Sequence, residues 1–434
     1  MHTMLTIIMP ASTWQKLLMS QAKWDLDGSN LPIVDPHTKA KHKILEEYVE
    51  NLVYTLYGKG RYGETKFTFI DAFCGGGMYL DPETNQNWEG SPIRIIRAVQ
   101  KGYQRANRQY SLDVKYIFID SEENHLLCLK NYSLPFAGFD ELGRSDQCIF
   151  EHGNFEDKIN WLLFTVDRHK GHSLFFIDPF GWTQVSMSSI RKINNLSGSE
   201  IIYTYMIDFI ARFIEQREES LRNQFKHTLE ADNYYLDANP SKIEEFGEQC
   251  YLRDQSMALF RNKGEAKYVF TFALIPRGNR RVLYYLIHMS SNLTALEVIK
   301  ESFWKENTLS YEYCFEVYGY GFKSADYYQE GQLEIQFDIN KETNEFCIEK
   351  LDRDVGKLIK ENQDGLRFRD LSNKTMERNP ANRGHYDQYL NRRRDSFEIE
   401  VIRKGEILNS KKVNFQRNDI IRLTRYKQLF FLDL

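Results

Sequence analysis

The stretch FIDAFCGGG, residues 69–77, decides how this 434-residue chain folds. Its first part continues the apolar run KFTFIDAF, which ends in an acid and is typical of a short buried β-strand. Gly75, Gly76 and Gly77 follow where the chain must turn tightly, and glycine adopts backbone conformations that other residues avoid. A glycine loop directly after a strand is typical of sheets that bind a nucleoside-containing cofactor. An ordinary structural turn explains a lone glycine triplet equally well.

Apolar strands and amphipathic segments alternate on both sides of this loop. A helix is predicted over 38–57, where apolar residues recur at three-to-four spacing, and another from Ser91, which is followed by Pro92. Further strands are predicted at VKYIFID, CIFEHGNF, HSLFFIDPF and EIIYTY, and a hairpin about residues 276–279. This alternation predicts an α/β fold with a Rossmann-like parallel sheet that binds ligands at the carboxyl ends of its strands.

Composition places the chain among ordinary globular proteins, with 42% hydrophobic and 27% charged residues. Six scattered cysteines form no CxxC pair and no metal-ligand spacing, which predicts free thiols in a reducing cytosol and no metal site. No basic leader or run of about 20 apolar residues is evident. We therefore expect a cytoplasmic protein.

The loop is not GxGxxG followed directly by a helix, so an adenosyl-sulfonium cofactor is favoured over a dinucleotide. Two later strand ends strengthen this prediction. Asp120 closes the strand YIFID, where a carboxylate can accept hydrogen bonds from ribose hydroxyls; alternatively it caps the helix that starts near Glu122. Asn154 or Phe155 is predicted to contact an adenine ring, and an ordinary turn is the equal alternative there.

The fourth strand ends in Asp178, Pro179, Phe180, Gly181 and Trp182, which is the strongest signal for reaction type. In amine methylation a carboxylate and a carbonyl beside proline accept hydrogen bonds from the amine, while an aromatic ring stacks on the base. Positioning then does most of the chemistry, because a methyl sulfonium is already reactive. The bland alternative is that this sequence merely ends a strand.

Taken in order, these motifs resemble the bacterial three-Cys-motif partner protein family over about residues 37–310. The resemblance is carried by HTKAKHKILEEYV, FIDAFCGGG, the Gly90-Ser91-Pro92 triplet, FFIDPFG and YYLIHMSS. More distantly, the chain is similar to the adenine-N6 methyltransferases of large-subunit ribosomal RNA, which share a Lys-His pair, an AGxG-type loop and a GSP triplet. Both likenesses imply a Rossmann-like class I methyltransferase sheet and an S-adenosyl-L-methionine site.

The resemblance also assigns roles to individual residues. It assigns the methionine and adenosyl contacts to Asp71, Phe73, Gly75 and Gly77. Asp120 would bind the ribose and Asp178 the target amine, adenine N6 being the favoured target, and the Lys41-His42 pair would line the substrate side. The partner family is named for neighbours that carry three cysteines resembling a radical-adenosylmethionine site, which implies such a protein as partner.

This chain departs from the amine-methylating pattern at one place. That pattern ends Pro-Pro-aromatic, whereas Pro179 is followed by Phe180 and Gly181, so the stacking aromatic comes one position early. We expect Phe180 or Trp182 to serve as the platform. The departure leaves open whether the site is catalytic.

The C-terminal part is basic although the whole chain has a formal charge of −4. Residues 365–434 contain sixteen Lys and Arg against nine Asp and Glu, and three predicted helices followed by two strands give winged-helix order. Such a unit can neutralise nucleic-acid phosphates, although a basic surface is often merely solvated and winged helices also bind protein. The predicted contacts are Arg383, Arg392, Arg393, Arg394, Lys404, Lys411 and Lys412.

These patterns predict four parts: a lead-in at 1–36, a methyltransferase-like domain at 37–310, a connecting segment at 311–345, and a basic winged-helix-like domain at 346–434. The favoured function is methylation of an amine on RNA or DNA. The alternatives are a non-catalytic nucleic-acid-binding partner and a small-molecule methyltransferase, which would need no basic domain.

Overall fold

The computed structural model describes residues 22–58, 64–106, 111–207, 219–235, 240–274, 284–306, 313–316, 321–324, 345, 347–349 and 351–424. Residues 1–21 of the predicted lead-in and the predicted hairpin turn at 276–279 lie outside these ranges. Among the described residues, no helix is long and apolar enough to cross a membrane.

The main sheet has nine strands in the order β10-β11-β8-β9-β7-β6-β1-β4-β5. Their bounds are β1 Lys66–Asp71, β4 Asp113–Asp120, β5 Cys148–His152, β6 His172–Ile177, β7 Ser199–Tyr205, β8 Tyr268–Leu274, β9 Tyr284–Ser290, β10 Tyr313–Glu316 and β11 Gly321–Ser324. A separate hairpin, β2 Met78–Asp81 with β3 Gln86–Glu89, follows the glycine loop and was not expected from the sequence.

The order of the first seven strands defines the fold. From β1 the chain moves outward through β4 and β5 on one side, and then through β6 and β7 on the other, all in parallel. Strand β9 pairs antiparallel with both β7 and β8, and so completes the sheet of a Rossmann-like class I methyltransferase fold. The strand order reverses between β1 and β6, where the carboxyl ends open a crevice for a ligand.

Helices cover both faces of the sheet. They are α1 Pro36–Val53, α2 Ser91–Ala106, α3 Glu123–Cys128, α4 Leu134–Phe136, α5 Asp140–Arg144, α6 Phe155–His169, α7 Met187–Asn194, α8 Glu219–Leu229, α9 Pro240–Asn262 and α10 Leu293–Glu306. Alternate residues of β1 enter opposite cores, so Phe67 and Phe69 pack in the same cluster as residues of α1, α2 and α10. Ile70 packs in the cluster that includes residues of α6 and α7. The predicted α/β layering is confirmed.

The segment predicted as a connection contributes to the sheet. Strand β11 pairs in parallel with β8, and β10 pairs antiparallel with β11, so both extend the main sheet at its edge. A short edge strand can be added in this way because β8 would otherwise present unpaired backbone groups. The four free cysteines that the structure describes, Cys74, Cys128, Cys148 and Cys347, are buried.

The C-terminal unit contains the three predicted helices and the two predicted strands, together with two short strands that the sequence did not predict. A π-turn at Asp352–Gly356 leads into α11 Lys357–Glu361, and then follow β12 Leu366–Arg367, α12 Phe368–Thr375, α13 Arg383–Asp395, β13 Ile399–Arg403, β14 Glu406–Ile407 and β15 Ile420–Leu423. Strands β12, β15, β13 and β14 form one antiparallel sheet. The last strand begins later than the sequence pattern suggests, and residues 408–419 lie outside the strands.

A buried lysine joins this unit to the main domain. The Lys300 ammonium group of α10 is fully buried and donates to three backbone carbonyls, those of Met376, Asn379 and Ala381. Beside it, the Trp304 indole donates to the Pro380 carbonyl at 2.7 Å. Three donors on one ammonium match three acceptors that would otherwise be buried without partners. Lys300 therefore holds the two units in contact.

Replacing Lys300 with methionine keeps an unbranched side chain but removes every donor. We expect Lys300→Met to lower the free energy of unfolding by about 3 kcal/mol, because buried carbonyls that lose their partners keep their desolvation cost. Urea denaturation of the full chain measures this change. Lys357→Met, on a side chain that is 76% exposed, is the matched control and should shift stability by less than about 0.5 kcal/mol.

Candidate functional site

Three strand ends bring their carboxylates together at the crevice. Asp71 ends β1, Asp120 ends β4, and Asp178 follows β6 directly. Burial above all, with a smaller contribution from the charges of Asp178 and Asp120, raises the pKa of Asp71 to about 7. Hydrogen bonds from the Ser91 side chain and the Phe73 N–H act in the opposite direction. Asp71 Oδ2 is buried without a hydrogen-bond partner among the described residues. The three carboxylates therefore share one edge of the sheet, and one oxygen of Asp71 is left available to a ligand.

Hydrogen bonds and close packing fix the conformation of the glycine loop. Gly75 and Gly77 have φ values of 59° and 76°, a backbone region that strongly favours glycine. The Gly75 N–H donates to Asp120 Oδ2 at 2.9 Å, and the Gly90 N–H donates to the Gly77 carbonyl at 2.9 Å. A Cβ at Gly77 would lie 2.5 Å from Leu129 Cδ1. The loop conformation thus requires glycine at the two predicted positions.

Asp120 is fully engaged inside the protein. Besides Gly75, it accepts from the Glu122 N–H at 2.9 Å, and His125 Nδ1 lies 2.9 Å from the same oxygen, Oδ1. The N-cap of helix Glu123–Cys128 is Glu122, with no side-chain cap hydrogen bond, so Asp120 does not cap this helix as the alternative prediction had it. Asp120 instead anchors the glycine loop through the Gly75 N–H. Its binding of ribose stays a prediction.

A cavity of about 310 Å³ lies at the ends of β1, β4 and β5. It contains the predicted adenine contacts Asn154 and Phe155 together with Phe73, whose ring lies 5.9 Å from that of Phe155. The Asn154 amide donates to Asp157 Oδ2 at 3.2 Å, and Phe155 is buried. The cavity is lined by Ala72, Phe73, Ser121, Gly153, Asn154, Phe155, Glu156, Asp157, Thr183 and Gln184.

Asp178 forms a close ion pair with Lys41. The Lys41 ammonium lies 2.8 Å from Asp178 Oδ1 and 2.7 Å from Oδ2, and it sits 5.5 Å from the centre of the Tyr284 ring. The side chains of Lys41 and Asp178 are 9% and 19% exposed. Lys41 of α1 therefore contacts the first residue of the Asp-Pro-Phe-Gly sequence. The position of the Lys41-His42 pair on the substrate side, which the resemblance implied, stays a prediction.

His42 is a neutral imidazole in this arrangement. Burial, followed by the charges of Arg94 and Lys41, holds its pKa well below the usual value. His42 Nδ1 accepts from the Trp88 indole N–H at 3.1 Å, which leaves Nε2 as the protonated nitrogen. The Trp88 ring is covered in turn by the Arg94 guanidinium at 4.4 Å. These contacts fix the orientation of His42 beside Lys41.

The two candidate platforms differ in what the structure describes. Phe180 is 46% exposed, and a Cβ added at the adjacent Gly181 would meet nothing within 4 Å. Pro179 links Asp178 to this open ring. Trp182 begins a 3-10 turn at Trp182–Gln184, and its side chain lies outside the described part of the chain. Phe180 is therefore an open aromatic surface immediately beyond the Asp178 carboxylate.

The sequence did not single out Trp24 or Tyr79. Trp24 is 3% exposed, lies against Gly75 and Gly76, and donates its indole N–H to the Met78 carbonyl at 2.5 Å. The Tyr79 ring lies 5.2 Å from that of Trp24, and burial followed by the charge of Asp178 raises its pKa well above the usual value. A tryptophan in a turn-rich lead-in gives no sequence signal of this position.

The four arginines predicted to bind nucleic acid are paired within the protein. Arg383 covers the Phe368 ring at 3.9 Å and lies 3.7 Å from Glu297 on α10. Arg392 pairs with Glu345 at 2.6 Å, Arg393 with Asp352 and Glu398, and Arg394 donates to the Lys411 carbonyl at 2.6 Å. The side chains of Lys404, Lys411 and Lys412 are exposed. Nucleic-acid contact by any of these residues stays a prediction.

Comparisons with known proteins add little beyond the fold. No family model and no curated protein matches the sequence, so the resemblance to the three-Cys-motif partner family stays a prediction. An O-methyltransferase from Bacillus cereus, solved with SAH, is 14% identical, with 66% of this chain and 94% of that chain covered and a TM-score of 0.30.

Two other solved structures are similar at the same level. Protein LPL1258 from Legionella pneumophila is 12% identical, with 62% and 91% of the two chains covered and a TM-score of 0.33. The plantazolicin methyltransferase BamL, solved with SAH and a substrate analogue, is 13% identical, with 58% and 87% covered and a TM-score of 0.25. At such values the fold assignment rests on the strand order of this chain.

The raised pKa of Asp71 makes stability depend on pH. Between about pH 4 and 7 the folded state keeps a proton on Asp71 that the unfolded chain has lost, so the contribution of Asp71 falls as pH rises through this window. We expect the free energy of unfolding of Asp71→Asn, relative to the wild type, to increase by up to about 4 kcal/mol from pH 4 to pH 8. Urea denaturation at several pH values measures it; a constant difference would contradict the buried titration.

Proposed function

We propose that this protein is an S-adenosylmethionine-dependent methyltransferase that acts on an amine of a nucleic-acid base, with adenine N6 as the favoured target. The observation that carries the proposal is the sequence of Asp178 and the exposed Phe180 at the end of β6, the strand paired with β1, which leads into the glycine loop. A carboxylate with an adjacent aromatic platform can hold the edge and the face of a planar base at the same time. Such a base would be unstacked from its helix.

The residues at the strand ends suit the cofactor. S-adenosylmethionine supplies a positively charged methyl sulfonium, whose methyl carbon an amine lone pair attacks as the carbon–sulfur bond breaks. The orphaned Asp71 Oδ2 and the neighbouring carboxylates favour a cationic ligand, and Phe73, Asn154 and Phe155 line a cavity for an apolar ring.

Asp178 would position the target amine and accept hydrogen bonds from it as the amine becomes positively charged. In the present arrangement Lys41 occupies both Asp178 oxygens, so binding of an amine requires Lys41 to shift toward solvent or toward another anion. A phosphate of the bound nucleic acid would provide that anion. The Lys41–Asp178 pair thus keeps the site closed until a substrate offers both groups.

Replacing Asp178 with asparagine tests the catalytic proposal. We expect Asp178→Asn to reduce methyl transfer at least about 100-fold, because the amide no longer stabilises the developing positive charge. SAH binding measured by calorimetry should persist in this variant. Mass analysis of nucleosides from RNA and DNA of cells with intact or substituted Asp178 measures the transfer and names the base.

Two glycine variants separate cofactor binding from folding. Gly75→Asp adds bulk on the loop and should abolish SAH binding, whereas Gly405→Asp is the matched control. Both positions have positive φ, but a Cβ at Gly405 meets nothing within 4 Å. If the wild type does not bind SAH at millimolar concentration, or if Asp178→Asn retains full transfer, the proposal is wrong.

The C-terminal unit supports a second role. We propose that it is a winged-helix-like domain whose exposed lysines contact phosphates, since its helices precede an antiparallel sheet. Because the arginines of α13 are paired within the protein, we expect phosphate binding through the β13–β14 hairpin and residues 408–412, which together we call the wing. A non-catalytic partner of a three-cysteine radical-adenosylmethionine-type protein is the alternative function, and the closed Lys41–Asp178 pair is the observation that favours it.

Exposed wing lysines should set the salt dependence of nucleic-acid binding. We expect the triple variant Lys404→Gln, Lys411→Gln and Lys412→Gln to reduce the slope of log K against log salt by about 2 to 3, because each phosphate contact contributes about 0.9. Fluorescence anisotropy with single- and double-stranded RNA and DNA measures this slope.

A matched triple variant at exposed lysines elsewhere, Lys23→Gln, Lys357→Gln and Lys360→Gln, should leave the slope unchanged. Equal slopes for both triple variants would show that the wing does not contact phosphate. Binding that survives Asp178→Asn while transfer is absent even in the wild type would favour the non-catalytic partner.

A further inference from the structure

The lead-in chain covers the glycine loop with one tryptophan. A Cβ built at Gly75 would lie 2.8 Å from Trp24 Cη2, and one built at Gly76 would collide with Trp24 Cγ. The indole therefore occupies the space that the absence of glycine side chains leaves open. A loop made accessible by glycine is normally approached there by its ligand.

The surroundings of Trp24 connect it to the site. Its ring meets Tyr79 at 5.2 Å and His125 at 4.7 Å, both edge-on. His125 contacts Asp120, which in turn holds the Gly75 N–H. Trp24 thus touches the loop, and through His125 the carboxylate predicted to bind the ribose.

A small number of contacts hold this part of the chain in place, among them Leu31 against the main core cluster and the Tyr132 ring against Gly28. We call residues 22–35 the strap. Within the strap only Trp24 and Val34 are buried, and Leu26 and Ile33 are 47% and 66% exposed. Two backbone hydrogen bonds join it to β2, from the Val34 N–H to Leu80 and from the Leu80 N–H to Pro32, both at 2.9 Å. Most side chains of the strap are at least partly exposed, and a surface segment with few fully buried side chains can open locally without unfolding the domain.

We propose that Trp24 is a plug, which occupies the glycine loop when no cofactor is bound and withdraws with the strap when the cofactor enters. This inference rests on the proposed function, because it requires S-adenosylmethionine to bind in the space that the Trp24 indole now occupies. The glycine loop cannot hold both groups. The observed affinity for the cofactor is then lowered by the fraction of molecules in which the strap is closed.

The position of Trp24 can be followed without any measurement of activity. The protein is labelled with 5-fluorotryptophan, and its fluorine NMR spectrum is recorded during titration with SAH; Trp24→Phe assigns the resonance. We expect the Trp24 resonance to shift and to gain the H₂O/D₂O isotope effect of an exposed ring. The Trp304 resonance, from an indole bonded to the Pro380 carbonyl, should remain unchanged.

Calorimetry gives an independent readout. Trp24→Ala should bind SAH at least about tenfold more tightly than the wild type, since the competing plug is gone. Trp161→Ala, at a half-buried tryptophan of α6, is the matched control and should leave the affinity unchanged.

The outcomes separate the plug from the proposed function. If the wild type binds SAH while the Trp24 resonance stays buried, or if Trp24→Ala binds no more tightly, the plug is wrong and the methyltransferase proposal stands. If neither protein binds SAH at millimolar concentration, the proposed function fails and the plug fails with it. The NMR experiment on the wild type decides the question even if Trp24→Ala does not fold.

Discussion

The central position of β1, paired in parallel with β4 on one side and β6 on the other, is the constraint on which the site depends. Parallel pairing aligns the carboxyl ends of the three strands, so Asp71, Asp120 and Asp178 meet although they are distant in sequence. Burial is the main reason that the pKa of Asp71 is raised, and the charges of Asp178 and Asp120 add to it, so a negative charge at this edge is electrostatically costly. A bound cation would relieve it.

The three carboxylates at this edge differ in their hydrogen-bond and ion-pair partners. Asp178 is neutralised by Lys41. Asp120 accepts from the backbone N–H groups of Gly75 and Glu122 and contacts His125. One oxygen of Asp71 has no hydrogen-bond partner among the described residues. These partners also limit what each carboxylate can bind. A carboxylate that already has its partners must exchange them before it can bind a ligand, which makes the present arrangement a closed one.

The C-terminal unit is an integral part of the folded chain. Lys300 sends its ammonium group into a cage of carbonyls from that unit, and Arg383, predicted to face nucleic acid, instead packs on Phe368 and lies near Glu297 of α10. An arginine of the helix that was predicted to contact nucleic acid therefore serves the contact between units. Charge counted along the sequence did not reveal this, because it does not record which face of a helix is covered.

Sequence alone determined the strand-and-helix alternation, the glycine loop and the acids at the strand ends, because period, turn residues and strand termini are local properties of the chain. Only the tertiary structure decided what those groups touch. The ion pair between Lys41 and Asp178 spans 137 positions, and Trp24 reaches the loop from a lead-in with no pattern of its own. Such contacts depend on how elements pack, and packing is specified by the whole fold rather than by any one segment.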